Sequence, residues 1–164
     1  LGIFKCMYSQ KEKIDFKSQG TYVLCNVSDP HNLGAIIRTA VALNRKYIIA
    51  IDGCHHHNQK AIRASAGMIG AIRVCRVSVR DVQSIFSEMK LKYTLDAKGK
   101  KLYDIEKSND AFLFVGNEAN GFDGIDVYSN IGKVSIPMYN DSCESLNAAV
   151  AASVAGYEIW RGKS

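Results

Sequence analysis

The chain has 164 residues, 47% of them hydrophobic and 23% charged, and a net charge of +5 from 21 basic and 16 acidic side chains. That length suits one domain with a real core, and the mild basic tilt leans toward polyanionic partners without requiring one. No apolar run approaches the roughly 20 residues that span a bilayer, and the five scattered cysteines lack a CxxC pair, which argues against a disulfide framework and suits a reducing cytoplasm.

Residues 1–20 are mixed and charged and do not read as a signal peptide. They are expected to be an arm or the remnant of a preceding segment, with the folded domain over 21–164. TYVLCNV (21–27) predicts a buried strand, followed by a helix from about Asn32 to Asn44. KYIIAID (46–52) predicts a second strand, NQKAIRASAG (58–67) a short helix and AIRVCRV (71–77) a third strand. VRDVQSIFSEMK (79–90) carries Val82, Ile85, Phe86 and Met89 at amphipathic-helix spacing. KYTLDA (92–97) is strand-like, 99–110 a polar connection, AFLFVG (111–116) and GKVSIP (132–137) further strands, and 145–160 a long closing helix. Strands alternating with helices predict an α/β fold with a mainly parallel sheet flanked by helices. Ligands in such sheets bind beyond the carboxyl ends of the strands, which directs attention to the loops after residues 27, 52, 96, 115 and 136.

Three of these loops carry chemistry. In SDPHNLGAIIRTAVALN (28–44), Asp29-Pro30 sets a turn and Asn32 is an N-cap candidate. Leu33, Ile36, Ile37, Ala40 and Val41 form the apolar stripe, while Arg38 lies off it. Arg38 follows Gly34 by one turn, and a glycine inside a helix costs about 1 kcal/mol against alanine. Arg38 therefore reads either as a solvated charge or as a side chain beside a deliberate close approach. LFVGNEANGF (113–122) resembles a nucleotide loop but lacks the Gly-Lys-Ser/Thr of a P-loop and the G-x-G-x-x-G of a dinucleotide site. Glu118 within it reads as a solvated carboxylate or a site residue. In VSIPMYNDSCESLNAAVAASVAGYEIW (134–160), Ser142 to Ser145 are capping candidates. Ser145 and Asn147 there open a helix rich in small residues.

Together, in this order, NLGAIIRTA, VGNEANGF and IPMYNDSCESLNAAVA resemble the three motifs of the SpoU (TrmH) class of SPOUT methyltransferases, with KAIRASAGMIGAIRV similar to the intervening region. The resemblance spans residues 21–161. It implies a SPOUT fold whose C-terminal segment forms a deep trefoil knot, and a homodimer. It also implies transfer of a methyl group from S-adenosyl-L-methionine to a ribose 2′-hydroxyl of tRNA or rRNA. Motif by motif, it makes Asn32, Arg38, Glu118, Ser145 and Asn147 the catalytic set. Val115, Gly116, Ile136, Met138 and Leu146 become the cofactor contacts. His31, Arg63 and Arg73 are the expected RNA contacts. The residues 139–141 depart from the shorter, glycine-containing loop of many members, which affects the detailed cofactor contacts.

No metal is expected: adjacent His55, His56 and His57 in an extended turn do not converge easily on one ion, and zinc sites usually space their ligands. That run reads instead as a polar or RNA-facing loop. Arg76 and Arg80 join Arg63 and Arg73 as a phosphate-binding surface or simply a solvated face. Two other readings stand beside ribose methylation: a non-catalytic RNA-binding homologue, and a base-modifying methyltransferase. The joint presence of Asn32, Arg38, Glu118, Ser145 and Asn147 weighs against the first, and the Asn-x-x-x-x-x-Arg and Ser-Leu-Asn patterns against the second.

Overall fold

A computed structural model describes residues 19–78, 86, 87, 89–116, 131–139 and 145–161. Its elements in chain order are β1 (Tyr22–Cys25), α1 (Pro30–Ala42), β2 (Tyr47–Ile51), α2 (Gln59–Ala64), β3 (Arg73–Val77), β4 (Lys92–Lys101), β5 (Phe112–Val115), β6 (Gly132–Ser135) and α3 (Ala148–Trp160). Short 3-10 turns cover Met68–Ala71 and Leu102–Asp104.

The six strands form one sheet in the order β3-β2-β1-β5-β4-β6, and each pairing between neighbours is parallel. Side chains alternate along each central strand, and both faces are apolar. Tyr22, Leu24, Ile48, Ala50, Leu113 and Val115 pack on the side of α1 and α3. Val23, Cys25, Ile49, Ile51, Phe112 and Phe114 point the other way, onto Phe86 and Met89. A sheet covered on both faces explains why these strands read as continuous apolar runs. The helix expected over 79–90 lies mostly outside the described residues, but Phe86 and Met89, two of its apolar positions, are buried.

Several expected boundaries move. The stretch expected as a polar connection continues β4 to Lys101, where pairing with β6 shifts register between Leu95 and Lys100. Helix α1 starts at Pro30, and its N-cap is Asp29 rather than Asn32, with Asp29 Oδ1 accepting from the His31 N–H at 2.9 Å. Proline suits the first helical position because its missing N–H is one the helix leaves unbonded anyway. Helix α3 starts at Ala148, and Asn147 rather than Ser145 caps it.

The amino end of the sheet is clamped by Arg45, which is only 6% exposed. Its guanidinium donates to the Gly20 carbonyl at 3.1 Å, to the Asn109 carbonyl at 3.0 Å and to Asn109 Oδ1 at 2.6 Å, and lies 4.8 Å over the Trp160 ring. A buried charge needs such a set of partners.

Candidate active site at the carboxyl ends of the central strands

The strand order reverses direction at β1: β2 and β3 extend to one side, β5, β4 and β6 to the other. The carboxyl ends of β1 and β5 therefore flank the switch point where parallel sheets bind ligands. The chain leaves β1 into the turn before α1, leaves β5 at Gly116, and leaves β6 into Ile136-Pro137-Met138.

Residue Asp29 opens the first of these connections. Its carboxylate accepts from the His31 backbone and lies 3.2 Å from His31 Nδ1, and these bonds hold it below the usual carboxylate range. A negative cap also suits the positive end of the helix. Asn32 falls in the first turn of α1, where its Oδ1 accepts from Asn147 Nδ2 at 2.9 Å. Asn147 Oδ1 meanwhile accepts from the N–H groups of Ala149 at 2.9 Å and Val150 at 3.3 Å. One amide thus caps α3 with its oxygen and holds α1 with its nitrogen, joining residues 115 positions apart in the chain.

A second bond ties the same helices further along. The hydroxyls of Thr39 and Ser153 lie 2.9 Å apart. Ser153 donates to the Ala149 carbonyl at 2.7 Å, so the proton between the hydroxyls comes from Thr39. Contacts from 32 to 147 and from 39 to 153 mean that α1 and α3 run side by side in the same sense. Arg38, next to Thr39, is exposed, and so is Ser145, two residues before the Asn147 cap. This second tie was not anticipated from the sequence, although a Thr and a Ser on otherwise apolar helices are its signal.

Gly34, the close-approach candidate, packs against α2. It is buried, and a Cβ there would lie 2.5 Å from the Ala61 carbonyl oxygen and 2.5 Å from Ala64 Cβ. The space it clears is taken by α2, not by a partner of Arg38.

The remaining site candidates fall at the strand ends or beyond them. Val115 is buried in β5 with its side chain in the core, so only its main chain faces outward chemistry. Gly116, Ile136 and Leu146 are half-buried, and Met138 is 41% exposed. Glu118 lies outside the described residues. His31 and Arg63 are exposed at the N-terminal turn of α1 and the last turn of α2. Arg73 begins β3, its N–H bonding Lys46 ahead of β2, so it sits at the opposite end of the sheet from these loops. A mainly apolar cleft of about 590 Å³ opens between the end of β6 and α3, with Ile136, Pro137, Tyr103, Val154 and Tyr157 among its walls.

The SpoU rRNA Methylase family model matches residues 21–157. Among curated proteins, the 23S rRNA (guanosine(2553)-2'-O)-methyltransferase RlmP of Bacillus subtilis is 33% identical over 145 residues, covering 81% of this chain and 54% of its own. The 23S rRNA (guanosine-2'-O-)-methyltransferase RlmB of Acinetobacter baylyi is 32% identical over 146 residues, with 84% and 58% covered. The chain spans about half the length of the curated relatives it matches. Among solved structures, the SpoU methyltransferase AviRb of Streptomyces viridochromogenes in complex with AdoMet aligns with a TM-score of 0.74 at 26% identity, over 88% of this chain and 60% of that one.

Proposed function

The chain belongs to the SpoU rRNA methylase family, and from that premise we propose that it is an S-adenosylmethionine-dependent RNA methyltransferase acting on a ribose 2′-hydroxyl of tRNA or rRNA. One observation carries the reading to this chain's own residues: the hydrogen bond from Asn147 to Asn32 brings the first and third motifs together at the carboxyl edge of the sheet. Polar side chains held there by each other form a site that a merely retained fold does not need.

The main chain at Val115–Gly116, at Ile136–Met138 and at Leu146 would hold the cofactor. These positions lie at or beyond the strand ends, and backbone amides there suit recognition of an adenine edge and a ribose. When bound, S-adenosylmethionine supplies a methyl carbon already made electrophilic by a positive sulfur, so the transfer calls for no metal. Transfer to the ribose oxygen would leave the cofactor as a neutral thioether and would require the hydroxyl proton to pass to an acceptor such as water. Most of the rate then comes from in-line placement of the two groups.

Arg38 is exposed and free to reach a bound polyanion. A guanidinium is effectively always protonated, so Arg38 serves best by gripping a phosphate beside the target ribose with charge-assisted hydrogen bonds. Asn32, Asn147 and Ser145 orient the ribose and the cofactor's methionine end, and Glu118 completes the set from the second motif. The protein works as a cytoplasmic homodimer. Support for the dimer comes from α3, where Val150, Val154 and Tyr157 are 49%, 42% and 60% exposed at helical spacing, an apolar stripe suited to a second copy.

The test is incubation with methyl-labelled S-adenosylmethionine and bulk tRNA and rRNA, followed by mapping of the modified nucleotide. Label on a ribose 2′-oxygen is expected; label on bases, or none despite tight RNA binding, rejects the proposal. Arg38→Ala should lower turnover by about 100-fold or more while S-adenosylmethionine binding stays unchanged. Near-normal turnover in that variant would remove Arg38 from the machinery.

A further inference from the structure

The β2–α2 loop carries Cys54-His55-His56-His57. On extended backbone, three successive imidazoles would splay apart. The folded loop is not extended. Asp52 and Gly53 take φ values of 52° and 73°, the Cys54 N–H donates to the Val27 carbonyl at 2.8 Å, and the Asn58 N–H closes a turn onto the His55 carbonyl at 2.9 Å. The turn gathers the three rings, His55 stacked on His56 with centroids 4.7 Å apart and His57 tilted against both at 5.0 Å and 4.1 Å. One ring nitrogen from each histidine lies within 4.8 Å of the other two. The geometric premise against a metal therefore fails in this loop.

We propose that His55, His56 and His57 bind one divalent transition-metal ion, Zn2+ foremost, as a staple on the β2–α2 loop that takes no part in methyl transfer. Imidazole nitrogens about 2.1 Å from a tetrahedral ion stand about 3.4 Å apart, so the nitrogens must draw together and the rings turn out of their stack to aim lone pairs at the ion. His56 is buried and fixes one ligand, while His55 and His57 are exposed and have room to turn inward. His55 Nδ1 accepts from the His57 N–H at 3.2 Å, a long bond that the ion can replace. Water completes the coordination.

The choice of ion follows from the donors. The triad contains no carboxylate, and the Arg76 guanidinium lies alongside, donating to the Cys54 carbonyl at 3.2 Å. Three neutral nitrogen donors without a carboxylate do not suit hard cations such as Mg2+ and Ca2+, and leave ions that seek imidazole: Zn2+, Ni2+ or Cu2+. The staple would bear on α1 indirectly, because the loop leads into α2, whose Ala61 carbonyl packs against Gly34.

Calorimetric titration of the untagged chain with Zn2+ tests the proposal, with Mg2+ as control and thermal unfolding alongside. One equivalent should bind with micromolar affinity and raise Tm, as any ligand confined to the folded state does. His55→Gln and His57→Gln, both at exposed positions, should each weaken binding about tenfold or more while leaving the far-UV circular dichroism unchanged. Arg76→Gln should tighten it several-fold. Absence of binding up to about 100 µM, or Zn2+ binding that survives the double His55→Gln/His57→Gln change, overturns the proposal.

Discussion

Asn147 shows how much one side chain can settle. Its amide spends its acceptor on the cap of α3 and its donor on Asn32, so cap and cross-link are separable by chemistry. Asn147→Asp keeps the acceptor, and an acidic N-cap is favourable at a helix start. It loses the donor and puts a charge beside Asn32, whose amide must flip to meet it. We expect Asn147→Asp to unfold at nearly the wild-type urea midpoint but to lose most turnover. Asn147→Ala should lose turnover and also about 1 kcal/mol of stability. If the aspartate variant turns over normally, Asn147 is a cap and nothing more. Asn32 gives the complementary lesson: a residue that reads as a cap is displaced from that task by Asp29 because Pro30 starts the helix, and its side chain is thereby released for Asn147.

At the scale of elements, the contacts between helices and sheet turn on two glycines. A Cβ on Gly156 would sit 2.1 Å from the Tyr22 hydroxyl, whose bond to the Ala152 carbonyl at 3.0 Å pins α3 to β1. Gly156→Ala should cost about 2–3 kcal/mol in chemical unfolding, and Tyr22→Phe in the same chain should recover part of that by removing the clashing oxygen. Gly34→Ala should also destabilise, although alanine is the better helix former by about 1 kcal/mol, since the atom it meets is α2 backbone that cannot swing aside. The far end of α3 is tied by charge. Glu158 accepts from Lys107 Nζ at 2.5 Å and pairs with Arg161 Nε at 2.6 Å, and these partners, Arg161 first, hold its carboxyl below the usual glutamate range. A carboxyl lowered on folding contributes stability that is present above its unfolded pKa and is lost as pH falls through the folded value. Acidification below the ordinary glutamate range should therefore loosen the 102–108 segment from α3. Glu158→Gln should flatten the part of the stability–pH curve that lies there, by no more than about 1 kcal/mol for an ion pair near the surface.

For the whole molecule, the exposed stripe on α3 sets the expected assembly. Val154→Glu places a charge in the middle of that stripe, between Val150 and Tyr157. Sedimentation equilibrium should show a dimer for the natural chain and a monomer for Val154→Glu. A natural chain that sediments as a monomer at tens of micromolar would remove the second copy from the proposal. The deep knot implied by the resemblance involves the loops at 115–121 and 136–146, of which 117–121 and 140–144 lie outside the described residues.

The α/β order, the two-sided sheet and the core faces were legible in the chain itself, because parallel strands buried on both faces leave unbroken apolar runs such as YIIAI and FLFV. The motif residues were legible too, as polar side chains at strand ends and helix starts. What local pattern does not encode is which of these residues meet. The bond between Asn32 and Asn147, the one between Thr39 and Ser153, and the Arg45 clamp on Gly20 and Asn109 join segments distant in the chain. Gly34 makes the same point in reverse: its cost in the helix was visible, but only the packing of α2 decides that the space is filled from within. The histidine run is the sharpest case, since its residue types were plain and a left-handed turn at Asp52-Gly53, a matter of backbone geometry, decides that the three rings converge.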